Sequence, residues 1–262
     1  MPPLEPPALA LSAADSSALD TLRSAVTASL SALPATDPRR RDRLVVQLMD
    51  SPEFRDNVLV KYLQDYGFRP QRAELAIEKT IAWRMSEDVT SIPLDTPALL
   101  RQKIPIYCPV GISKLGEPIL FARARDLVTR HMTTADVVAV SASLLDGLFM
   151  AASPPAPAVT AIVDYAGFSV KENFSLGLAK ACLEVLGYHY PRRLGMLFLY
   201  NYPAAFWLAY KAMAPMLSQY IRKRIVFLGA VKEGVPPREL TEYFEMDSIP
   251  SWLGGTSAFV VP

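Results

Sequence analysis

The stretch from Tyr190 to Gly229 limits the possible folds more than any other part of the chain. Its segment 194–217 is apolar over a length that exceeds the roughly 19 residues of a typical membrane-spanning window. Four residues inside the segment oppose a membrane span, because prolines interrupt a helix and polar side chains are costly in hydrocarbon: Pro203, Pro215, Asn201 and Lys211. We therefore reject a membrane-spanning helix here.

The same stretch divides more naturally into strands and a helix. Apolar runs of about four to eight residues beside a helix are typical of a sheet that helices cover. We predict a buried strand at Met196–Tyr200, an Asn-Tyr-Pro turn, a helix that begins at Ala204, and a second buried strand at Ile225–Leu228. The helix is more apolar than the outside of a sheet requires, which directs attention to it for function.

Composition and charge exclude several classes of protein. Of the 262 residues, 51% are hydrophobic, and 27 basic against 26 acidic residues give a net charge of +1, so no large field would attract nucleic acid. Cys108 and Cys182 are typical of buried thiols in a reducing compartment. Met1–Ser17 lacks arginine and lacks a basic segment followed by an apolar core. We expect a soluble, cytoplasmic protein.

The N-terminal part of the chain predicts a leader followed by a helix. Residues 1–17 are rich in proline and alanine, and we expect a disordered leader there. Residues 18–95 are predicted to form a small helical lobe. Its first helix, capped by Ser16 or Ser17 and stopped at Pro34, carries one apolar stripe: Leu19, Leu22, Val26, Leu30 and Leu33.

The rest of the helical lobe is predicted to consist of short helices. The basic triplet Arg39–Arg41 is interpreted as a solvated helix start rather than a binding patch. Two or three helices follow between Leu44 and about Met85, broken near Pro52 and at Gly67–Pro70. Their inward-facing residues are predicted to be Leu59, Leu63, Ala76, Ile77 and Ile81.

Residues 100–262 are predicted to form a second, α/β lobe. Two strands joined as a hairpin, with Gly116 in the turn, are followed by helices that alternate with strands. The first of these helices is capped by Thr133 or Thr134, and the second ends at Gly187. The predicted strands are Pro105–Tyr107, Ile119–Ala122 and Val159–Tyr165, and the predicted helices are Thr134–Ala152 and Val170–Leu186.

No constellation of residues indicates catalysis or metal binding. The chain has no nucleophile elbow, phosphate-binding loop, dinucleotide fingerprint or zinc-protease motif. His131 and His189 stand at unrelated places and are interpreted as structural or surface histidines. Asp164 ends a predicted strand, where we expect it to cap the following turn through backbone N–H groups. We expect no catalytic residue, no metal and no enzymatic activity.

The N-terminal helical segment and six further segments, taken in register, resemble the CRAL-TRIO proteins, the phosphatidylinositol/phosphatidylcholine-transfer and retinaldehyde-binding group. The resemblance covers roughly residues 58–255 and includes the hairpin with Gly116 and Pro118. The other segments are LVKYLQDYGFRPQRAELAIEKTIAWR (Leu59–Arg84), IVDYAGFS (Ile162–Ser169), YPRRLG (Tyr190–Gly195), LYNYPAAFWLAYKAMAPML (Leu199–Leu217), RIVFLG (Arg224–Gly229) and IPSWLGG (Ile249–Gly255).

The resemblance implies an α/β fold in which a mostly parallel sheet is the floor, helices are the walls, and a mobile gate helix closes over one hydrophobic ligand. The helix that begins near Ala204 matches the gate, with Pro203 and Gly229 as candidate hinges. Tyr202 and Trp207 would meet the bilayer interface when the gate opens. Four residues share one face of the matching segment and are candidate cavity residues, unless they are ordinary core: Phe206, Tyr210, Met213 and Leu217.

Two headgroup sites of the phosphatidylinositol- and phosphatidylcholine-transfer members are incomplete here. Arg224 keeps the basic residue before the final strand, whereas Arg192 replaces the acidic residue of the Tyr-Pro-Glu-Arg motif and Arg193 is retained. The basic pair after the N-terminal helix aligns with Tyr66–Gly67. The two hydroxyl residues with which those members recognise choline align with Val159 and Ala161. On the strand before Asp164, three candidate cavity residues alternate onto one apolar face: Val159, Ala161 and Val163.

The resulting hypothesis is a non-enzymatic lipid-binding and transfer protein without a further cofactor. Its ligand is expected to be phosphatidylinositol or another phospholipid, with Arg192, Arg193 and Arg224 as candidate phosphate contacts. Arg192 and Arg193 are alternatively surface charges, and Arg222–Arg224 alternatively face an anionic membrane. A retinoid, tocopherol, sterol or haem is the alternative ligand, and a membrane-recruitment or protein-interaction module without exchange is the alternative function. The expected partner is a transient membrane surface, and protein partners stay undefined.

Overall fold

A computed structural model describes residues 11–94, 104–107, 111–151, 156–229 and 234–260. The first of these ranges is helical, as predicted. Its inner faces form one apolar core, which contains all five residues predicted to face inward and the stripe of the first helix through Leu30. The helices are α1 (Ala13–Ser31), α2 (Arg43–Asp50), α3 (Pro52–Asp65) and α4 (Pro70–Ser86).

Helix α1 begins earlier than the sequence predicted. Ser12 caps it by accepting a hydrogen bond from the backbone N–H of Asp15, so the prediction of Ser16 or Ser17 as the cap is wrong. Asp15 also favours this start, because a carboxylate in the first turn interacts well with the helix dipole. Residues 13–17 are therefore helical and do not belong to a disordered leader, whereas residues 1–10 lie outside the described ranges.

Arg40 of the basic triplet donates hydrogen bonds to backbone carbonyls at the end of helix α1. Arg40, within a 3₁₀ turn at Pro38–Arg41, donates hydrogen bonds to the carbonyls of Ser31 and Leu33 at 3.2 and 2.7 Å. The last carbonyls of a helix have no partner inside it, so this side chain satisfies groups that would otherwise depend on water. Arg40 thus has a structural role in addition to solvation.

The second lobe is built on a five-stranded sheet in the order β1-β2-β3-β4-β5. Strand β1 pairs antiparallel with β2, and the remaining pairs are parallel, which agrees with the mostly parallel floor that the sequence predicted. Gly116 has a φ of +76°, as a turn between the first two strands requires. The strands are β1 (Ile106–Tyr107), β2 (Ile119–Arg123), β3 (Val159–Asp164), β4 (Leu194–Tyr200) and β5 (Ile225–Phe227).

The helices of this lobe cover both faces of the sheet. Helix α5 (Thr134–Asp146) begins after a complete capping box of Thr133 and Asp136, and it continues as a π-helical turn at Gly147–Ala151. The remaining helices are α6 (Val170–Asn173), α7 (Leu176–Glu184), α8 (Ala204–Met213), α9 (Gln219–Arg222) and α10 (Arg238–Tyr243).

The single helix predicted at Val170–Leu186 is wrong, because the chain forms two helices there. Asn173 accepts a hydrogen bond from Ser169 N and donates to two loop carbonyls, which fixes the end of α6. Ser175 then caps α7 by accepting from Leu178 N. Gly187 does not end the second helix, since a π-helical turn continues through it to His189.

The two faces of the sheet pack against different partners. One face carries Ile162, Phe198 and Tyr200 and packs against α10 and the C-terminal segment. The other face carries Leu120 and Val159, which pack with residues of α5 and of the two π-helical turns. Successive residues of a strand point to opposite faces, so this division follows directly from the alternation.

A buried ionic cluster joins the two lobes. Arg84 of α4 is 1% exposed and donates to Asp42 and Asp146, each at 2.8 Å. Asp146 also accepts from the Tyr190 hydroxyl at 2.7 Å. Buried charges require such compensation, and these partners are distant in sequence, so they were not predicted.

Among the helices of the described ranges, none combines the length and the hydrophobicity that a membrane span requires. The apolar segment 194–217 instead contains strand β4 and helix α8.

Candidate functional site

A cavity of about 540 Å³ lies between the sheet and helices α5, α7 and α8. It falls within the roughly 300–1,000 Å³ of typical ligand pockets, and most of its lining is aliphatic or aromatic. All seven residues that the sequence proposed for the cavity line it: Val159, Ala161, Val163, Phe206, Tyr210, Met213 and Leu217. Their contact with a ligand stays a prediction.

Strand β3 supplies the centre of the floor. Val159, Ala161 and Val163 line the cavity from alternate positions, as the period of a strand requires. Thr160 lies on the opposite face, where its hydroxyl donates to Glu117 at 2.6 Å and accepts from Met196 N at 2.9 Å. The polar side chain of β3 is thereby satisfied on the far side of the sheet, and the cavity side is left apolar.

Helix α8, which matches the predicted gate, covers the cavity with one face only. Phe206, Tyr210 and Met213 line the cavity, whereas Trp207 and Leu208 are 39% and 70% exposed. None of the residues of α8 is fully buried. A helix with apolar residues on its outer face has free surface for a membrane or another partner.

Leu217 lines the cavity from outside this helix. The sequence placed it on the same helical face as Phe206, but α8 ends at Met213 and a 3₁₀ turn follows at Ala214–Met216. Pro215 explains the end, because it lacks an N–H group and cannot continue the helix. Leu217 is 8% exposed and reaches the cavity after this turn.

Aromatic rings close one end of the cavity. Tyr165, the residue after β3, has its ring centroid 3.9 Å from that of Phe206 and 5.3 Å from that of Phe168. All three residues line the cavity. The end of the floor and the first turn of α8 are therefore in direct contact.

Arginine lies at the other end, near the start of β3 and β4. Arg193 is 8% exposed and lines the cavity, and its carbonyl accepts from Val159 N. Its guanidinium lies 4.5 Å from the ring centroid of Phe149 and donates to the carbonyls of Ala156 and Pro157 at 3.4 and 3.3 Å. Burial lowers the pKa of Arg193 to about 10.

Arg192 also lines the cavity, but a carboxylate pairs with it. Its side chain donates to Asp65 at 3.0 Å and to the Gln64 carbonyl at 2.8 Å. Both acceptors belong to α3, so Arg192 fastens the α/β lobe to the helical lobe. This contact combines the structural interpretation of Arg192 with a position near the cavity.

Arg224 does not line the cavity in the described structure. Its guanidinium carbon lies 3.6 Å from the centroid of the Tyr220 ring, and it donates to the Tyr220 carbonyl at 3.4 Å. Tyr220 lines the cavity and donates its hydroxyl to Leu194 O at 2.6 Å. Tyr220 thus separates Arg224 from the position of a direct headgroup contact.

Lys61 of α3 is a basic residue near this end that the sequence reasoning missed. Its amine donates to Arg192 O at 3.2 Å, and it lies beside Arg193 and Tyr190. Burial, followed by repulsion from Arg193, lowers its pKa to about 7. Lys61 precedes Tyr66, the residue that follows α3, by about one helical turn. The sequence signal that could have identified Lys61 was a single lysine among the apolar residues of that helix.

The two residues proposed as hinges lie just before helix α8 and just after strand β5, and their role as hinges stays a prediction. Pro203 precedes α8 with extended backbone, and Gly229 follows β5 at the surface. A side chain added at Gly229 would meet no atom within 4 Å.

The remaining polar candidates have structural partners. Asp164 accepts from Ala166 N at 2.9 Å, as predicted for a turn cap, and from Asn201 Nδ2 at 3.0 Å. His189 stacks on Trp83 with ring centroids 3.9 Å apart, and burial together with Arg84 lowers its pKa to about 4. His131 is exposed.

Of the two cysteines, Cys182 lies within the described residues. Cys182 lines the cavity, and burial raises the pKa of its thiol to about 11. Cys108 lies outside the described residues.

Comparisons with known proteins agree with this architecture. The model of the CRAL/TRIO domain matches residues 106–255. A CRAL-TRIO domain-containing protein of Schizosaccharomyces pombe is 23% identical over 197 residues, which are 71% of this chain and 18% of that protein. Protein real-time of Anopheles gambiae is 22% identical over 226 residues, which are 79% of this chain and 32% of that protein.

The chain spans less than a third of the length of both relatives. The crystal structure of Sfh5 is similar in fold, with a TM-score of 0.61 at 16% sequence identity over 82% of this chain and 80% of that one. The family match covers more than half of the chain and includes every strand of the sheet and helix α8. The chain therefore belongs to the CRAL/TRIO domain family of lipid-binding proteins.

Proposed function

We propose that the protein binds one lipid with an anionic headgroup, phosphatidylinositol or another phospholipid, and exchanges it at membranes without covalent chemistry. Arg193 carries the proposal, because it is a buried cation at one end of a mostly apolar cavity. The apolar chain would occupy the space over Val159, Ala161 and Val163, and the headgroup would lie toward Arg193. The protein would act in the cytoplasm as a peripheral visitor of membranes.

The apolar lining supplies the affinity for the chain. Each CH₂ group removed from water contributes about 0.8 kcal/mol, so an acyl chain of about 16 carbons favours an apolar environment by roughly 12 kcal/mol. Transfer of such a chain through water is slow for the same reason. A protein that receives the chain directly from the bilayer lowers this barrier.

The basic end supplies the preference for an anion. Within the described part of the chain, neither Arg193 nor Lys61 forms an ion pair with a carboxylate, and both donate to backbone carbonyls. Arg192 differs, since Asp65 already pairs with it. A phosphate would give Arg193 and the partly buried Lys61 the counter-charge that they lack, through hydrogen bonds that are stronger than neutral ones.

The outer face of α8 supports contact with a membrane during exchange. Trp207 and Leu208 are exposed there, and the Lys211 amine lies 5.3 Å from the centroid of the Trp207 ring. Aromatic and basic side chains together suit the headgroup layer of a bilayer. Pro203 and Gly229 are the positions at which we place the hinges.

A neutral ligand such as a retinoid, tocopherol, sterol or haem is a second candidate. The observation in its favour is the apolar floor at Val159, Ala161 and Val163, which offers no hydrogen-bonding side chain. A recruitment module without exchange is a third candidate, in which the cavity would hold no lipid after purification.

Native mass spectrometry with lipid extraction separates these candidates. Protein purified from cells is expected to carry one phospholipid per chain, with an anionic headgroup. A stoichiometric uncharged ligand would replace this proposal with the carrier of a neutral molecule. An empty protein that also fails to move labelled phosphatidylinositol between vesicles would favour the recruitment module.

Substitution of two arginines tests the headgroup position. Arg193→Met is expected to weaken binding of phosphatidylinositol by at least about ten-fold, since a hydrogen bond to a charged group contributes roughly 1.5–3 kcal/mol. Arg224→Ala should have a smaller effect because Tyr220 lies between Arg224 and the cavity. Arg238→Ala, whose side chain is 89% exposed, is the control. Equal losses for phosphatidylinositol and an uncharged diacylglycerol in Arg193→Met would contradict the assignment.

A further inference from the structure

The hydroxyl of Tyr165 has no hydrogen-bond partner among the described residues, although the side chain lines the cavity. The ring is partly buried beneath Phe206 and beside Phe168. Burial raises the pKa of this phenol, so the group is a neutral hydrogen-bond donor and acceptor at physiological pH. The hydroxyl oxygen is not fully enclosed by protein, so a water molecule or a ligand atom in the cavity can bond it.

Several other polar groups around the cavity are already satisfied. The Asn173 amide bonds Ser169 N and the carbonyls of Arg125 and Leu127. Three hydroxyls of the lining also have backbone partners: those of Thr129, Ser175 and Ser218. These groups complete the protein's own turns and helix caps, which leaves them little capacity to recognise a ligand. The Tyr165 hydroxyl completes no turn or cap of this kind and is therefore a better candidate for ligand recognition than these four groups.

Tyr165 lies far from Arg193, at the end of the cavity where Arg123 pairs with Asp126. Val159, whose N–H donates to Arg193 O, begins strand β3, and Tyr165 follows the last residue of the same strand. A strand advances about 3.3 Å per residue, so these two positions are roughly 20 Å apart. One leaflet of a bilayer is about 15 Å of hydrocarbon, half of the roughly 30 Å core. A lipid with its head at Arg193 thus brings the far part of its chain to Tyr165.

A pure hydrocarbon chain is a poor partner for this hydroxyl. It would displace water from Tyr165 and offer no hydrogen bond in return. Leaving this hydroxyl without a hydrogen bond would lower the affinity for the ligand by about five-fold to more than a hundred-fold. An oxygen atom at the same depth avoids this loss, and sites that provide such a hydrogen bond discriminate strongly against analogues without it.

We propose that Tyr165 selects a lipid whose apolar part carries an oxygen function, a hydroxyl, carbonyl or ether, at the end distant from Arg193. The hydroxyl of Tyr165 bonds this oxygen, and Phe206 closes over the bond from helix α8. The inference needs only the cavity and does not depend on the anionic headgroup of the proposed function. A neutral ligand with an oxygen at that depth would meet the same requirement.

Competition with chain-hydroxylated fatty acids tests the inference. Displacement of cis-parinaric acid is measured with stearic acid and with hydroxystearic acids whose hydroxyl lies near the carboxylate, at mid-chain, or at the terminal carbon. The wild-type protein should bind the distal hydroxy acid at least about five-fold more tightly than stearic acid. Tyr165→Phe should remove this preference and leave stearic acid bound as well as before or better.

Two further variants control for the removal of other hydroxyls. Ser141→Ala removes a hydroxyl from α5 inside the cavity, and Tyr188→Phe removes one from a side chain that is 63% exposed. Both should retain the preference for the distal hydroxy acid. Thermal unfolding of Tyr165→Phe checks that the variant is folded.

Several results would overturn the inference: no preference at any hydroxyl position, no binding of any of the acids, a preference that survives in Tyr165→Phe, or a preference that is lost in Ser141→Ala instead. The two proposals can fail separately. If Tyr165→Phe removes the preference for the distal hydroxy acid but Arg193→Met binds phosphatidylinositol as tightly as wild type, this inference stands and the proposed headgroup site is wrong.

Discussion

The ring centroids of Tyr165 and Phe206 lie 3.9 Å apart, with the rings tilted by 42°. Tyr165 follows the central strand of the floor, and Phe206 belongs to the first turn of helix α8. If α8 acts as the proposed gate, its opening breaks this aromatic contact at the end of the cavity distant from Arg193.

Phe206→Ala is expected to accelerate release of a bound lipid. An aromatic pair contributes about 0.5–1.5 kcal/mol beyond its buried area, which corresponds to roughly 2- to 10-fold in the release rate. Stopped-flow transfer of a fluorescent lipid to acceptor vesicles measures this rate. Leu75→Ala, at a position of helix α4 that is 50% exposed, should leave it unchanged. Equal rates in wild type and Phe206→Ala would show that α8 does not limit release.

Tyr210→Glu is expected to abolish lipid uptake with a modest loss of stability. Tyr210 lines the cavity, so a carboxylate there would have to lose its hydration when a lipid enters. Ala212→Glu places the same charge on an exposed position of the same helix and should bind lipid normally. Loading with a fluorescent phospholipid measures uptake, and urea unfolding measures stability. Normal uptake by Tyr210→Glu would contradict the assignment of α8 as the cover of the cavity.

Arg84→Met is expected to destabilise the protein by about 3–5 kcal/mol, because it leaves Asp42 and Asp146 buried without their shared cation. Arg23→Met is the matched control. Arg23 pairs with Asp56 at a partly exposed site, and such pairs contribute only about 0–1 kcal/mol. Urea denaturation followed by circular dichroism gives both values. Similar small losses in the two variants would mean that the cluster between the lobes is not required for stability.

The binding of anionic lipid is expected to weaken as the pH rises above about 7. The pKa of Lys61 is lowered to about 7 by burial and then by Arg193, with Arg192 and Arg224 acting in the same direction and Glu117 opposing them. An anion beside Lys61 favours its charged form, so binding takes up a proton when the free protein has lost it. Vesicle-transfer assays between pH 6 and about 9 measure the change.

Lys61→Met provides the control for this pH dependence and should show a flatter profile. The effect of Lys61 on the stability of the folded protein has the opposite pH dependence to that of a lysine in a stabilising ion pair. Because the folded pKa of Lys61 lies below its usual 10.5, the cost of the buried charge is fully present below about pH 7. That cost is lost as the pH rises toward 10.5, and stability increases over this window. A steep pH profile in Lys61→Met would assign the titration to another group.

Much of the fold could be predicted from local patterns. Strand β3 and helix α8 appeared where short apolar runs and the Asn-Tyr-Pro turn indicated them. The exceptions have local causes that the patterns did not weigh correctly. Ser12 with Asp15 started α1 early, and Ser175 with Asn173 divided one predicted helix into two. Hydrogen bonds of single polar side chains decided these boundaries.

The candidate site divides in the same way. Strand period placed Val159, Ala161 and Val163 on one face, and the resemblance identified α8, so the apolar floor and cover were available from sequence. The state of each charged or hydroxyl residue was not. Arg193 and Arg224 both matched basic positions of the family, yet one is buried at the cavity and the other lies behind Tyr220.

The sequence by itself determined the sheet floor, the helical cover and the apolar cavity between them, because side-chain period and turn residues act over a few positions. Only the tertiary structure decided which polar groups are satisfied. Arg84 pairs with Asp146, Lys61 lies beside Arg193, and the Tyr165 hydroxyl has no hydrogen-bond partner among the described residues, because distant segments meet in space. Burial and pairing depend on those meetings, and no local pattern of residues encodes them.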